Sequence, residues 1–381
     1  MPLLESFSGY LTRLAPLGFL LTTLGCDQLH RHAKGERFVE PSNPAFVYTG
    51  RWDHSEKNEP KASWPGFAVS TDFEGKSIKV RMSDRGNFYN VKIDGEFTKV
   101  VGGEKGSYNT YLLAENLSAG PHRIQLQRRN INFDKPTTIQ GFIVDEESTL
   151  SPPAKSTRKR IEIIGDSFTA AEGNEATTAT LPWEAKYPVT NFAKGYASLL
   201  GDALNADVSA VCRSGSGLLS DWVGNREYPM GERYNWTLME SASPTWNFSE
   251  GAANLVIISL GLNDYSGLKN SDGEVSDANS VAFRNAYHQL IANVRVHNPD
   301  VRLVALAPFT PWAREQISAV VAEEKAKGAT GVDYAQFDDF PNGYVADGHP
   351  TIETHRKMME QIKAQLEALG AVSATGELLD L

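Results

Sequence analysis

The chain has 381 residues, 41% hydrophobic and 22% charged, with a formal net charge of -10. This size and balance suit two or three ordinary globular domains, and the acidic excess argues against nucleic acid and anionic membrane surfaces as partners. The two cysteines, Cys26 and Cys212, exclude a disulfide framework, and no Cys/His cluster or HExxH motif has metal-ligand spacing.

Residues 1–26 read as an export signal. Arg13 precedes an apolar stretch from Leu14 to Leu24 that is too short to span a bilayer. The following Gly25-Cys26 resembles the end of a bacterial lipoprotein signal, in which Cys26 would carry lipid; a plain secretory signal is the other reading. The protein is therefore expected to be exported: periplasmic, secreted or anchored at the outer surface. Residues 27–45 are polar and turn-rich and read as a tether. From 46 to 146 the pattern has period two: Ile78-Lys79-Val80-Arg81-Met82 alternates, as do Tyr89 to Ile93 and His122 to Gln127. Asp94-Gly95 and Ser118-Ala119-Gly120-Pro121 supply turns. Short strands with no helical period between them predict an antiparallel β-sandwich of jelly-roll type. Pro152-Pro153 breaks both helix and sheet, so residues 147–160 read as a linker.

Beyond residue 160 apolar runs alternate with helical periods. Strands are expected at 161–164, 208–212, 255–260 and 301–306, and helices at 196–204, 281–296, 311–327 and 351–369. This alternation predicts a parallel sheet with helices on both faces over 161–381. Cys212, in the second strand, reads as a small buried hydrophobe. The acidic cluster Asp333, Asp338 and Asp339 reads as a solvated loop.

Four loops follow strand ends, where open α/β sheets place their ligands. Ser167 follows Gly165-Asp166, a position for a nucleophile or for a helix cap. Gly215, in Ser214-Gly215-Ser216-Gly217, gives a turn whose backbone N–H groups can face a common point. Asn263, in Gly261-Leu262-Asn263-Asp264, brings either an amide donor or a cap. His349, before Pro350 and the final helix, is placed as a general base. Trp222, Tyr265 and Trp246 lie in or near these loops and are candidates to stack on sugar rings, with loop packing as the alternative. Trp183 and Trp236, and Trp52 and Trp64 of the sandwich, raise the same question.

These four blocks, in order, resemble those of the SGNH (GDSL-type) hydrolases. The match is closer still to carbohydrate esterase family 2, in which a small β-sandwich precedes the SGNH domain; Tyr48-Thr49-Gly50-Arg51-Trp52, Phe73-Glu74-Gly75, Ile93-Asp94-Gly95 and Gly120-Pro121-His122 carry it. The resemblance implies a three-layer α/β SGNH domain that removes O-acetyl groups from polysaccharide such as xylan or glucomannan, without metal or cofactor. Ser167 resembles the nucleophile and His349 the base. The N–H groups of Ser167 and Gly215, with the Asn263 amide, resemble the oxyanion hole; Gly217 is the alternative to Gly215. The usual His-orienting Asp would stand three residues before the His, where this chain has Ala346. Either Asp347 or a backbone carbonyl is expected to take its place. Other acyl esters, acetyl transfer to a sugar, and glycan binding without turnover are the competing readings.

Overall fold

The computed structural model describes residues 32–379 apart from 134 and 374. The expected export signal and Cys26 lie outside the described residues. Two antiparallel sheets form the N-terminal part. One runs Glu36–Val39, Thr137–Asp145, Ile78–Ser83, Asn109–Ala114, with Lys61–Ala62 also paired to Thr137–Asp145. The other runs Thr149–Ser151, Ala68–Glu74, His122–Arg128, Phe88–Ile93, Glu96–Gly102, with Val47–Thr49 paired to Ala68–Glu74. The alternating side chains of each strand meet between the sheets: Val80, Met82 and Phe142 belong to one core with Val69, Phe73, Tyr89 and Leu126.

Both ends of this unit differ from the sequence reading. Glu36–Val39, inside the expected tether, pairs with Thr137–Asp145. Thr149–Ser151, inside the expected linker, pairs with Ala68–Glu74. Each adds a strand at a sheet edge, where one ladder of hydrogen bonds suffices and an alternating apolar face is not required.

The C-terminal part has strands β1 (Arg160–Gly165), β2 (Asp207–Cys212), β3 (Leu255–Ser259), β4 (Arg302–Ala307) and β5 (Val332–Gln336), all parallel in the order β2-β1-β3-β4-β5. Every residue of β3 is buried, which explains its unbroken apolar run. The helices are α1 (Tyr196–Ala203), α2 (Leu262–Leu268), α3 (Asp277–His297), α4 (Pro311–Ala326) and α5 (Ile352–Ala368). β5 corrects the solvated-loop reading of Asp333. Arg302 on β4 holds Asp333 at 2.8 Å and Lys325 reaches it at 3.2 Å, so an edge strand carries the acid. The strand order reverses at β1, and Gly165 pairs with both Cys212 and Ser259. The loops after β1, β2 and β3 therefore leave the sheet side by side, at the switch point where such sheets bind ligands.

The two parts share buried contacts. Glu162 is a carboxylate within the apolar run of β1. Arg51 of the sandwich meets it at 3.0 Å, and the Tyr234 hydroxyl donates to it at 2.9 Å. Arg51 also donates to the Tyr234 and Trp236 carbonyls and lies over the Tyr234, Trp246 and Phe248 rings. Trp64 donates to the Thr237 carbonyl at 2.9 Å. Trp52 and Trp64 are both buried in cores, which closes them to sugar stacking.

Candidate active site

Ser167 lies two residues beyond Gly165, the last residue of β1, and is 7% exposed. The turn is tight: a Cβ at Gly165 would overlap the Thr169 side chain. Asp166 ties this turn to a neighbouring loop. Its Oδ1 accepts the Phe168 N–H at 3.0 Å and its Oδ2 accepts the Asn263 side-chain amide at 3.1 Å. Burial, with Asp264 and Glu172 nearby, pushes the Asp166 carboxyl up to about 7.

The loop after β2 is held from below. Asp264, at the start of α2, accepts the backbone N–H groups of Leu218, Leu219 and Ser220 at 2.7–3.0 Å. Burial raises this carboxyl to about 6 against those bonds. Gly215 has φ +75°, the left-handed region that suits glycine, and a Cβ there would lie 3.0 Å from the Trp222 ring. Neither the Ser167 N–H nor the Gly215 N–H has an acceptor among the described residues. The Asn263 amide donates to Asp166 and, at 3.0 Å, to the Ser216 carbonyl. Offering a hydrogen to an ester oxygen therefore means exchanging one of these bonds.

His349 closes a short hairpin in which Val345 pairs with His349. The turn between them, Ala346-Asp347-Gly348, has φ of 43°, 65° and 88°. Such angles strain Ala and Asp. The turn is pinned by Ala346 N–H to the Thr178 carbonyl (2.9 Å) and Asp347 N–H to the Ala179 carbonyl (2.6 Å). As a result the Ala346 carbonyl accepts from His349 Nδ1 at 2.6 Å. Asp347 is not placed at Nδ1: its Oδ2 takes the Lys186 ammonium at 2.9 Å. The ring's other nitrogen, Nε2, faces Glu172 Oε1 at 3.7 Å, and the Phe168 ring packs on the imidazole at 6.2 Å between centroids. Ser167 Oγ has no hydrogen bond among the described residues, so Ser167 and His349 are not hydrogen-bonded in this structure; contacts between catalytic groups often close only when substrate binds.

Residues 48–153 match the N-terminal domain model of carbohydrate esterase 2, and residues 163–357 match the GDSL-like lipase/acylhydrolase family. An active-site mutant of a family two carbohydrate esterase from Clostridium thermocellum superposes with a TM-score of 0.78 at 30% identity, over 86% of this chain and 99% of that one. The chain belongs to carbohydrate esterase family 2. Within the family, the cellulase/esterase CelE of Acetivibrio thermocellus is 30% identical over 344 residues; the match takes in 88% of this chain but only 41% of that protein. An acetylxylan esterase / glucomannan deacetylase of Cellvibrio japonicus is 25% identical over 80% of this chain and 82% of its own length.

The predicted aromatics separate. Trp222 is 61% exposed and its backbone N–H donates to the Gly215 carbonyl at 3.0 Å, so it borders the Gly215 loop. Trp183 is 38% exposed and leans on Phe133, with Lys186 against its ring. Tyr265 packs locally, its ring against Trp312 and its hydroxyl on the Gly273 carbonyl. Trp246 is not brought to the site: its ring meets Arg51, which binds Glu162 near the start of β1, away from the Ser167 end of that strand. Trp236 is buried under Arg233. Sequence reading passed over Glu172 and Lys186. The one local signal was a carboxylate in the otherwise small and apolar run Phe168-Thr169-Ala170-Ala171 after the nucleophile.

Proposed function

We propose that the protein is a serine esterase that removes O-acetyl groups from a polysaccharide of xylan or glucomannan type. The observation that carries this reading is an imidazole fixed at Nδ1 by the Ala346 carbonyl, with Nε2 making no hydrogen bond among the described residues. A serine hydroxyl is a weak nucleophile until a base removes its proton. Nδ1 carries the hydrogen donated to Ala346, so Nε2 holds the lone pair that accepts the Ser167 proton. Ser167 Oγ then adds to the acetyl carbon. The developing oxyanion meets the free N–H groups of Ser167 and Gly215, joined by Asn263. His349 passes its proton to the departing sugar hydroxyl, and the acetyl group stays on Ser167. Water, deprotonated by His349, attacks the acetyl-serine to release acetate.

The substrate class rests on the relatives. The Cellvibrio protein is named as an acetylxylan esterase and glucomannan deacetylase. A family two esterase from Clostridium thermocellum, 29% identical with a TM-score of 0.76, was solved with cellohexaose. We infer that the surface beside Trp222 also holds an unsubstituted β-linked chain, so that cellohexaose competes with acetylated polymer. Export, through either a lipoprotein signal that puts lipid on Cys26 or a plain secretory one, belongs to the same reading; no helix among the described residues is long and apolar enough to cross a membrane. Acetate release from acetylated xylan and glucomannan, beside 4-nitrophenyl acetate and octanoate, tests the assignment in wild type and Ser167→Ala. Release that vanishes in Ser167→Ala and is weak on octanoate is expected. No hydrolysis by folded protein would overturn it, and a preference for octanoate would move the substrate to longer acyl esters.

A further inference from the structure

Glu172 lies in the segment after the nucleophile, and its N–H donates to the Ser167 carbonyl at 3.0 Å. Its side chain is 2% exposed. Oε1 accepts the Lys186 ammonium at 2.9 Å and stands 3.7 Å from His349 Nε2, while Oε2 has no hydrogen-bond partner among the described residues. A buried carboxylate with one oxygen unpaired is expensive to keep and calls for a reason. Lys186 is also buried and is shared between Glu172 and Asp347. Burial works against its charge, but the two carboxylates outweigh that and hold the ammonium above its ordinary pKa.

We propose that Glu172 is a positioning residue for His349, acting on the imidazolium from the Nε2 side where a triad carboxylate would act from Nδ1. The charges decide it. Glu172, Asp347 and Lys186 sum to minus one while His349 is neutral, and to zero once His349 has taken the serine proton. The proton transfer therefore neutralises a cluster whose Glu172 and Lys186 are buried, where water screens little, with the 41% exposed Asp347 at its solvent edge. Other groups around the ring do not supply this charge. Ala346 offers a neutral carbonyl and Phe168 an apolar face. His355, the remaining titratable group that senses His349, is buried, and burial holds its pKa down near 3, so it is uncharged. Lys186 prevents the opposite excess, in which two unpaired carboxylates would hold His349 protonated and unable to act as a base.

The inference rests on Ser167 and His349 being the nucleophile and base. It is tested with Glu172→Gln, Lys186→Met and the double variant, by the pH dependence of kcat/KM on 4-nitrophenyl acetate and by NMR titration of the His349 ring. Glu172→Gln moves the acid limb and the ring titration down by roughly one pH unit, with KM nearly unchanged and kcat lowered roughly tenfold. Lys186→Met moves both upward. The double variant restores the net charge of minus one and returns both towards wild type. A structural role predicts instead that damage accumulates with no opposed shifts. Unmoved limbs, or shifts of one sign in both single variants, would overturn the proposal. Wild type inactive on the ester, or activity surviving in Ser167→Ala, would sink the esterase reading; the NMR titration still decides this one. Should Glu172→Gln fail to fold, Lys186→Met and Glu172→Asp, which keeps the charge and the wild-type limb, carry the test.

Discussion

The Ala346 carbonyl oxygen, 2.6 Å from His349 Nδ1, occupies the role that a carboxylate fills in a Ser-His-Asp triad. It does so from three residues before the histidine, the position at which SGNH enzymes commonly carry Asp. Asp347, one residue on, turns away to Lys186. Asp347→Asn is therefore expected to keep kcat on 4-nitrophenyl acetate within a few-fold, while His349→Ala loses roughly a thousandfold or more. A loss in Asp347→Asn as deep as that in His349→Ala would show that Asp347 orients the ring after all.

The carbonyl's aim depends on its packing. Gly173 has φ +62°, and a Cβ there would come within 2.5 Å of the Ala346 Cβ. Gly173→Ala should push the 346–348 turn aside and lower kcat by roughly a hundredfold, the cost typical of a displaced catalytic group. Wild-type kcat in this variant would show that the turn tolerates movement.

Asp166 joins the Ser167 turn to Asn263 through the Phe168 N–H and the Asn263 amide. Asn263→Ala removes the donor and should lower kcat by about a hundredfold. Asp166→Asn opposes one amide with another and should lower kcat by roughly tenfold through Asn263. The two losses should not add in the double variant, because one acts through the other. Additive losses would separate the two residues.

Arg51 and Glu162 form a buried ion pair, with side chains 1% and 9% exposed. Removing one partner leaves the other charge buried, so Arg51→Ala should cost about 3–5 kcal/mol in urea unfolding. The folded enzyme should keep its KM. A loss below about 1 kcal/mol would mean that solvent reaches Glu162.

His355 accepts the Tyr196 N–H at Nδ1 and is held neutral by burial, with a pKa lowered to about 3. The unfolded chain binds a proton there below about 6.5, and the folded chain does not until about 3. Stability from this group is thus full above pH 6.5 and is lost as pH falls towards 3, at up to about 1.4 kcal/mol per pH unit. The stability of wild type relative to His355→Asn should decline across that window. A constant difference would show that the ring takes up its proton in place.

Trp222 stands exposed over the oxyanion loop. If it carries a sugar ring, Trp222→Ala gives up about 1 kcal/mol of aromatic contact. KM for acetylated polymer should then rise by about fivefold, with 4-nitrophenyl acetate unaffected. Equal effects on both substrates would make Trp222 a support for Gly215 instead.

Local pattern was enough for most of the architecture. Parallel strands covered on both faces must be apolar throughout, so Ile161 to Ile164 and Leu255 to Ile258 were legible as strands. The loops at their ends then placed Ser167, Gly215 and Asn263 on one edge of one sheet. Edge strands such as Glu36–Val39 and Val332–Gln336 were missed, because an edge needs neither a continuous apolar run nor strict alternation. Trp246 sat near the right loops in sequence, yet its ring went to Arg51.

The sequence by itself determined the order of the two folded units and the chemistry available to them, since periodicity and turn residues are properties of neighbours along the chain. Only the tertiary structure decided which atoms meet. Whether Asp347 or the Ala346 carbonyl holds His349 depends on the left-handed turn pinned to Thr178 and Ala179. Whether Glu172 faces His349 depends on Lys186 drawing it into a buried pair. Glu162, an anomaly within an apolar strand, made sense only when Arg51 arrived from the other domain. A charge buried in one segment is compensated by whatever segment packs against it, and that partner is set by packing across the fold rather than by spacing along the chain.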